Sequence, residues 1–144
     1  MADDKKLKFM KLTCWIGTIA DFLWAIALVM PSLYGFLIGK PGFDPDAGTR
    51  SIMGIGATLM LAWSILLIWV QKKPIERRAV LLMTAYPITT ALFLTSCLSI
   101  YFGSTPLIDG LWILTKTLIL TILFTASYIF ARQLAHKNYQ SMQG

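Results

Sequence analysis

Four long apolar runs, at residues 12–38, 51–70, 79–102 and 107–131, dominate this chain of 144 residues. Each is long enough to cross a hydrocarbon core of ~30 Å, which takes about 20 helical residues. Lipid offers no partner to a backbone N–H or C=O, so a run of that length reads as a helix that satisfies its own groups. Four such crossings fill the chain and leave no length for a soluble domain. The expected fold class is all-α: a polytopic membrane protein, a single four-transmembrane-helix bundle.

Composition agrees. Only 14% of the residues are charged and 56% are hydrophobic, where a soluble domain carries roughly a quarter charged. With a mean hydropathy of +0.65, the apolar residues outnumber the interior positions of so small a globule. The opening segment, a basic stretch before an apolar run, has the outline of a secretory signal. Its apolar run exceeds the roughly 7–15 residues of a signal core and no small-x-small site follows, so it is expected to stay as the first transmembrane helix.

Orientation follows from the cations. Lys5, Lys6, Lys8 and Lys11 precede the first run, Lys72, Lys73, Arg77 and Arg78 lie between the second and third, and Arg132 and Lys137 follow the fourth. Only Lys40 and Arg50 fall on the other side. This bias predicts that the N-terminus and the C-terminus are both cytoplasmic, in the cell (inner) membrane. The net charge of +6 is spread between apolar runs rather than gathered on a folded face, which argues against nucleic acid and for the lipid bilayer as partner. The basic loop at 71–78 suits anionic headgroups. Trp15, Trp69 and Tyr128 fit an inner aromatic belt, and Tyr34, Tyr101 and Trp112 an outer one.

Local signals mark where helices start. Asp44 can cap a helix opened by Pro45, Thr105 one opened by Pro106 with Asp109 in its first turn, and Pro74 can open the third helix with Glu76 in its first turn. Cys14 and Cys97 are the only cysteines. They are expected about 25 Å apart by helical rise, which excludes a disulfide. No CxxC or Cys/His spacing suggests a metal, and no cofactor motif or nucleophile–base pair appears. Asp44 and Asp46 form a DxD that capping explains, and His136 reads as a solvated helix end.

Asp21 is the strongest candidate for chemistry. It is expected ~14 Å below the cytoplasmic edge, where a carboxylate is costly unless paired, hydrated or protonated. Cys14, Gly17, Thr18, Asp21, Ala25, Leu28, Ser32 and Gly35 share one small or polar stripe, the kind that meets other helices or lines a cavity. Lys116, in the fourth run, is a tempting partner. Its Cα is expected roughly 8 Å farther out, and the two side chains lean apart, so a direct pair requires helix tilt or a bridging water. Snorkelling toward the outer interface is the competing role.

Tyr86, Thr89 and Thr90 match the depth of Asp21 better, with Pro87 as a helix kink that frees the Met83 carbonyl. Together these residues could form a small polar or ion site, or serve only to bend and pack the helix. Gly54, Thr58 and Ala62 form a small-residue row that, with Gly17, is expected to pack helices closely. Thr117, Thr121, Thr125 and Tyr128 make a further stripe whose hydroxyls can bond the preceding turn.

The leading functional expectation is a proton- or cation-coupled transporter or permeation protein that uses Asp21, with Lys116 holding an anionic group or tuning the field. The alternative is a non-catalytic subunit or assembly factor of a membrane complex. A membrane enzyme acting on a lipid or isoprenoid ranks third. Assembly of the bundle as a homo-oligomer or within a larger membrane complex is expected.

Overall fold

In the computed structural model, residues 2–40, 42–103 and 107–140 are described, and no strand occurs among them. The helices are α1 (Ala2–Val29), α2 (Pro31–Leu37), α3 (Ala47–Lys72), α4 (Arg78–Met83), α5 (Thr89–Tyr101) and α6 (Leu107–Gln140), with a π-helical turn at Thr84–Ile88 between α4 and α5. Four segments, Asp3–Val29, Ala47–Lys72, Arg78–Tyr101 and Gly110–Lys137, are long and apolar enough to cross a membrane.

Several boundaries differ from the sequence reading, each for a local reason. The first apolar run is not one helix. Pro31 lacks an N–H and forces the residue before it out of the helical region, so Met30 is extended (φ −110°, ψ 92°) and Pro31 restarts the chain as the first residue of α2. α1 also begins ten residues before that run, and α6 continues nine beyond the end expected for the fourth. Both overhangs are rich in charged and polar residues but also bury Met10 and Leu134. The cap of α3 is Asp46, not Asp44: the Thr49 N–H donates to the Asp46 carboxylate at 2.6 Å, while Asp44 pairs with Arg50 at 2.9 Å. Pro74 does not open the third span; it lies in the turn before Arg78, where Lys73 and Glu76 pair at 3.1 Å. Thr105 and Pro106 lie outside the described residues.

The chain forms two compact units, one of Cys14–Trp69, the other of Val70 onward together with the chain up to Thr13. In the first, α1 and α3 run antiparallel. Ser64 on α3 donates to the Thr18 carbonyl at 3.3 Å, and Gly56 lies close against Leu28. α2 ends in a Schellman turn: Lys40 N–H bonds the Gly35 carbonyl at 2.7 Å, Gly39 N–H bonds that of Phe36 at 3.2 Å, and Gly39 takes φ +70°, a left-handed conformation glycine tolerates. A Cβ on Gly35 would stand 2.6 Å from that of Phe43 and 2.7 Å from the Lys40 carbonyl, so only glycine permits this approach.

In the second unit α4, the π turn and α5 lie along α6. Gly110 of α6 meets Ile100 of α5 with no room for a Cβ. The opening turns of α1 join the last turns of α6 through Phe9 edge-on to Phe130 at 5.5 Å, Lys6 donating to Gln133 at 2.8 Å, and a Lys137–Asp3 ion pair.

The interior mixes large apolar side chains such as Phe124, Leu67 and Leu81 with small hydroxyl residues, while the exterior is strongly apolar. Thr13, Thr18, Ser64, Thr84, Thr89, Thr117 and Ser127 are buried together with Cys14 and several alanines, while Leu12, Ile19, Leu23, Ile52, Leu59 and Ile65 are each more than half exposed.

Candidate functional site

Asp21 lies on α1 in the middle of the small-residue stripe, half-buried. Cys14, Gly17, Thr18 and Ala25 of that stripe are buried, while Trp15, Ile16, Ile19, Phe22 and Leu23 on the other faces are exposed. Among the described residues of its own unit none forms a hydrogen bond or ion pair with the Asp21 carboxylate. Thr18, one turn earlier and on a neighbouring line of the helix, is 6% exposed, and its hydroxyl has no partner. Ser64 is satisfied, bonding the Met60 carbonyl at 3.0 Å in addition to that of Thr18. α1 thus carries an unpartnered hydroxyl and a carboxylate side by side on its inner face.

Tyr86, Pro87, Thr89, Thr90 and Lys116 belong to the other unit. Pro87 sits inside the π turn. There the Thr89 N–H reaches back five residues to the Thr84 carbonyl instead of four to that of Ala85. The displaced Ala85 carbonyl accepts the Thr89 hydroxyl instead. Thr89 is buried and also receives the Thr121 hydroxyl of α6 at 2.8 Å; that hydroxyl lies equally close to the Thr117 carbonyl. Tyr86 and Thr90 are exposed. Of the three polar side chains that the sequence groups around Pro87, one therefore turns inward and two outward.

Lys116 is exposed, and its ammonium lies over the Trp112 ring at 4.7 Å from the centroid. The Gly54, Thr58 and Ala62 row of α3 also faces outward, with open space around Gly54, and Thr58 donates to the Gly54 carbonyl at 2.9 Å. Gly17 is buried. Among the described residues no cluster of His, Cys, Asp or Glu is grouped to hold a metal, and both cysteines are free thiols.

Three features went unread in the sequence. The Trp112–Lys116 stack was legible, since a lysine four residues after a tryptophan shares its helix face. The Thr89–Thr121 bond carries a weak signal, two threonines of similar depth on successive spans. Ser127 is fully buried with no partner for its hydroxyl, and nothing in the sequence marks it.

No family model matches the sequence, and neither a curated protein nor a solved structure matches it.

Proposed function

We propose that this chain is an integral membrane protein, crossing the cell (inner) membrane four times with both termini cytoplasmic, that works as a proton- or cation-coupled permeation protein. The observation that carries the reading is Asp21, an ionisable group on the small-residue face of an otherwise apolar span. An exterior of Leu, Ile and Phe is stable against lipid and not against water. A carboxylate inside such a span marks an ion or proton pathway by default.

Asp21 takes up the ion, and the adjacent Thr18 hydroxyl is available to bond the carboxyl group in either protonation state. The wide turn around Pro87 gives the third span a point at which to flex, a place where π-helical geometry recurs in functional helices. Lys116 works from the outer half on an anionic group.

The test is flux in proteoliposomes. Asp21→Asn, with an unchanged thermal unfolding profile, should abolish flux driven by a pH or cation gradient. Retained flux in that variant would end the transport reading.

A second reading, a subunit or assembly factor of a membrane complex, is favoured by the outward-facing Gly54, Thr58 and Ala62 row, the kind of surface through which membrane helices approach closely. Extraction in mild detergent then yields a different, stoichiometric partner chain. A lone homogeneous assembly of this chain would count against the reading.

A further inference from the structure

The Lys116–Trp112 pair leaves a charge unaccounted for. Lys116 lies nine residues into α6, about 13 Å along the helix. Its side chain runs toward the N-terminal end, as helical side chains do, and places the ammonium over Trp112, one turn nearer that end. An aromatic face attracts a cation without neutralising it, and an ammonium facing hydrocarbon is costly.

The described carboxylates of this unit are engaged elsewhere: Asp3 with Lys137, Asp4 with Lys8, and Glu76 with Lys73. Beside the pair Ile108, Leu111, Trp112 and Thr115 of α6 border a shallow, open recess. The Thr115 hydroxyl is turned back to the Leu111 carbonyl at 2.8 Å, which leaves the recess lined mainly by hydrocarbon.

We propose that this face of α6 holds one anionic phospholipid, its phosphate on the Lys116 ammonium and an acyl chain in the recess beside Trp112. The assignment rests on the reading that α6 crosses the bilayer, and not on any role of Asp21. Charge selects the occupant. Lysine recognises phosphate as a compact point charge, and a zwitterionic head would bring its own ammonium up against Lys116, whereas a head of net negative charge matches it.

The experiment uses the full chain in phosphatidylcholine nanodiscs doped with equal fractions of brominated phosphatidylglycerol or brominated phosphatidylcholine. Bromine quenches nearby tryptophan, and subtracting the signal of Trp112→Phe isolates Trp112. Quenching by the anionic lipid should be about fivefold stronger, the preference one basic residue confers at a charged membrane surface. Lys116→Gln should erase that preference and Lys116→Arg should keep it. Asp109 stands seven residues before Lys116 in the sequence, so Asp109→Asn is measured alongside and should change nothing.

Equal quenching by the two lipids overturns the proposal, as does a preference that survives Lys116→Gln. A preference that appears only in Asp109→Asn would assign Lys116 to that carboxylate instead. No quenching by either lipid would mean that a protein surface covers this face. Each arm reads binding rather than flux, so failure here leaves the Asp21 reading standing, and the reverse holds too.

Discussion

The hydroxyls of Thr89 and Thr121 stand 2.8 Å apart, which ties α6 to the first residue after the π turn. Each has a second partner in its own helix, Ala85 for Thr89 and Thr117 for Thr121. Replacing Thr121 by valine therefore removes the interhelical bond and leaves the Thr89 hydroxyl on the Ala85 carbonyl, whereas Thr89→Val also takes away that carbonyl's hydroxyl partner. Interhelical hydrogen bonds in membranes are worth ~0.6 kcal/mol on average. A double-mutant cycle, read by unfolding in mixed micelles, should give a coupling of about that size. Strictly additive losses would show that the two hydroxyls do not interact.

Gly110 offers a sharper packing test. A Cβ there would come within 2.4 Å of the Ile100 side chain. Gly110→Ala gains helix propensity of roughly 1 kcal/mol but incurs overpacking of about 1–3 kcal/mol, so a net loss of stability is expected. Ile100→Ala in the same chain should recover part of it, because the two changes share one contact. A Gly110→Ala protein more stable than the parent would contradict the close approach.

A comparable substitution at Gly35 should be worse. There the obstacle includes the Lys40 carbonyl, which is backbone and cannot rotate away. Gly35→Ala is expected to cost about 2–3 kcal/mol and to break the Tyr34–Phe43 ring contact, now 5.4 Å between centroids. Near-ultraviolet circular dichroism and thermal unfolding together report both effects, and an unaltered melting profile would refute the expectation.

Asp46 should make the start of α3 sensitive to acid. The Thr49 N–H bonded to it holds its carboxyl below the usual carboxylate range. A depressed folded-state value means that the cap stabilises fully above the unfolded value and is lost as pH falls through the folded one. The Thr49 amide resonance in micelles should shift with a midpoint below that of an unperturbed aspartate. Asp46→Asn should abolish the titration while keeping a cap, and Asp46→Ala should remove the cap at every pH. A midpoint at or above the ordinary aspartate value would be incompatible with this bond.

Much of the fold was legible because it rests on length and polarity. The last three apolar runs coincide to within three residues at either end with segments long enough to span or lie inside them, and the stripe around Asp21 lies largely inward, because both follow from residue polarity counted along the chain. What escaped depends on single residues acting on the backbone. Pro31, in an otherwise unbroken apolar stretch, splits the first helix because its ring excludes the helical conformation from Met30. Asp46 outcompetes Asp44 for the cap because its carboxylate stands three residues before the Thr49 amide, whereas Asp44 has Arg50 as a salt-bridge partner.

The candidate site was legible only as a set of residue types. Tyr86 and Thr90, four residues apart, share one helix face and are both exposed, while Thr89 is buried. Which of the two faces turns inward depends on the helix packed against it, and residue type alone does not record that.

The joining of the opening turns of α1 to the last turns of α6 has a kinetic consequence. Asp3 and Lys137 are 134 positions apart, whereas the Cys14–Trp69 unit is continuous in sequence. A chain emerging from the ribosome can close the continuous unit early, since its contacts need only short loops. The discontinuous unit must wait for its final helix to be synthesised and delivered. Until then the first turns of α1 have no α6 against which to set Phe9 and Lys6. Ribosome-stalled chains that end before α6 should thus hold a hairpin of α1 and α3 whose basic leading segment is still open to protease.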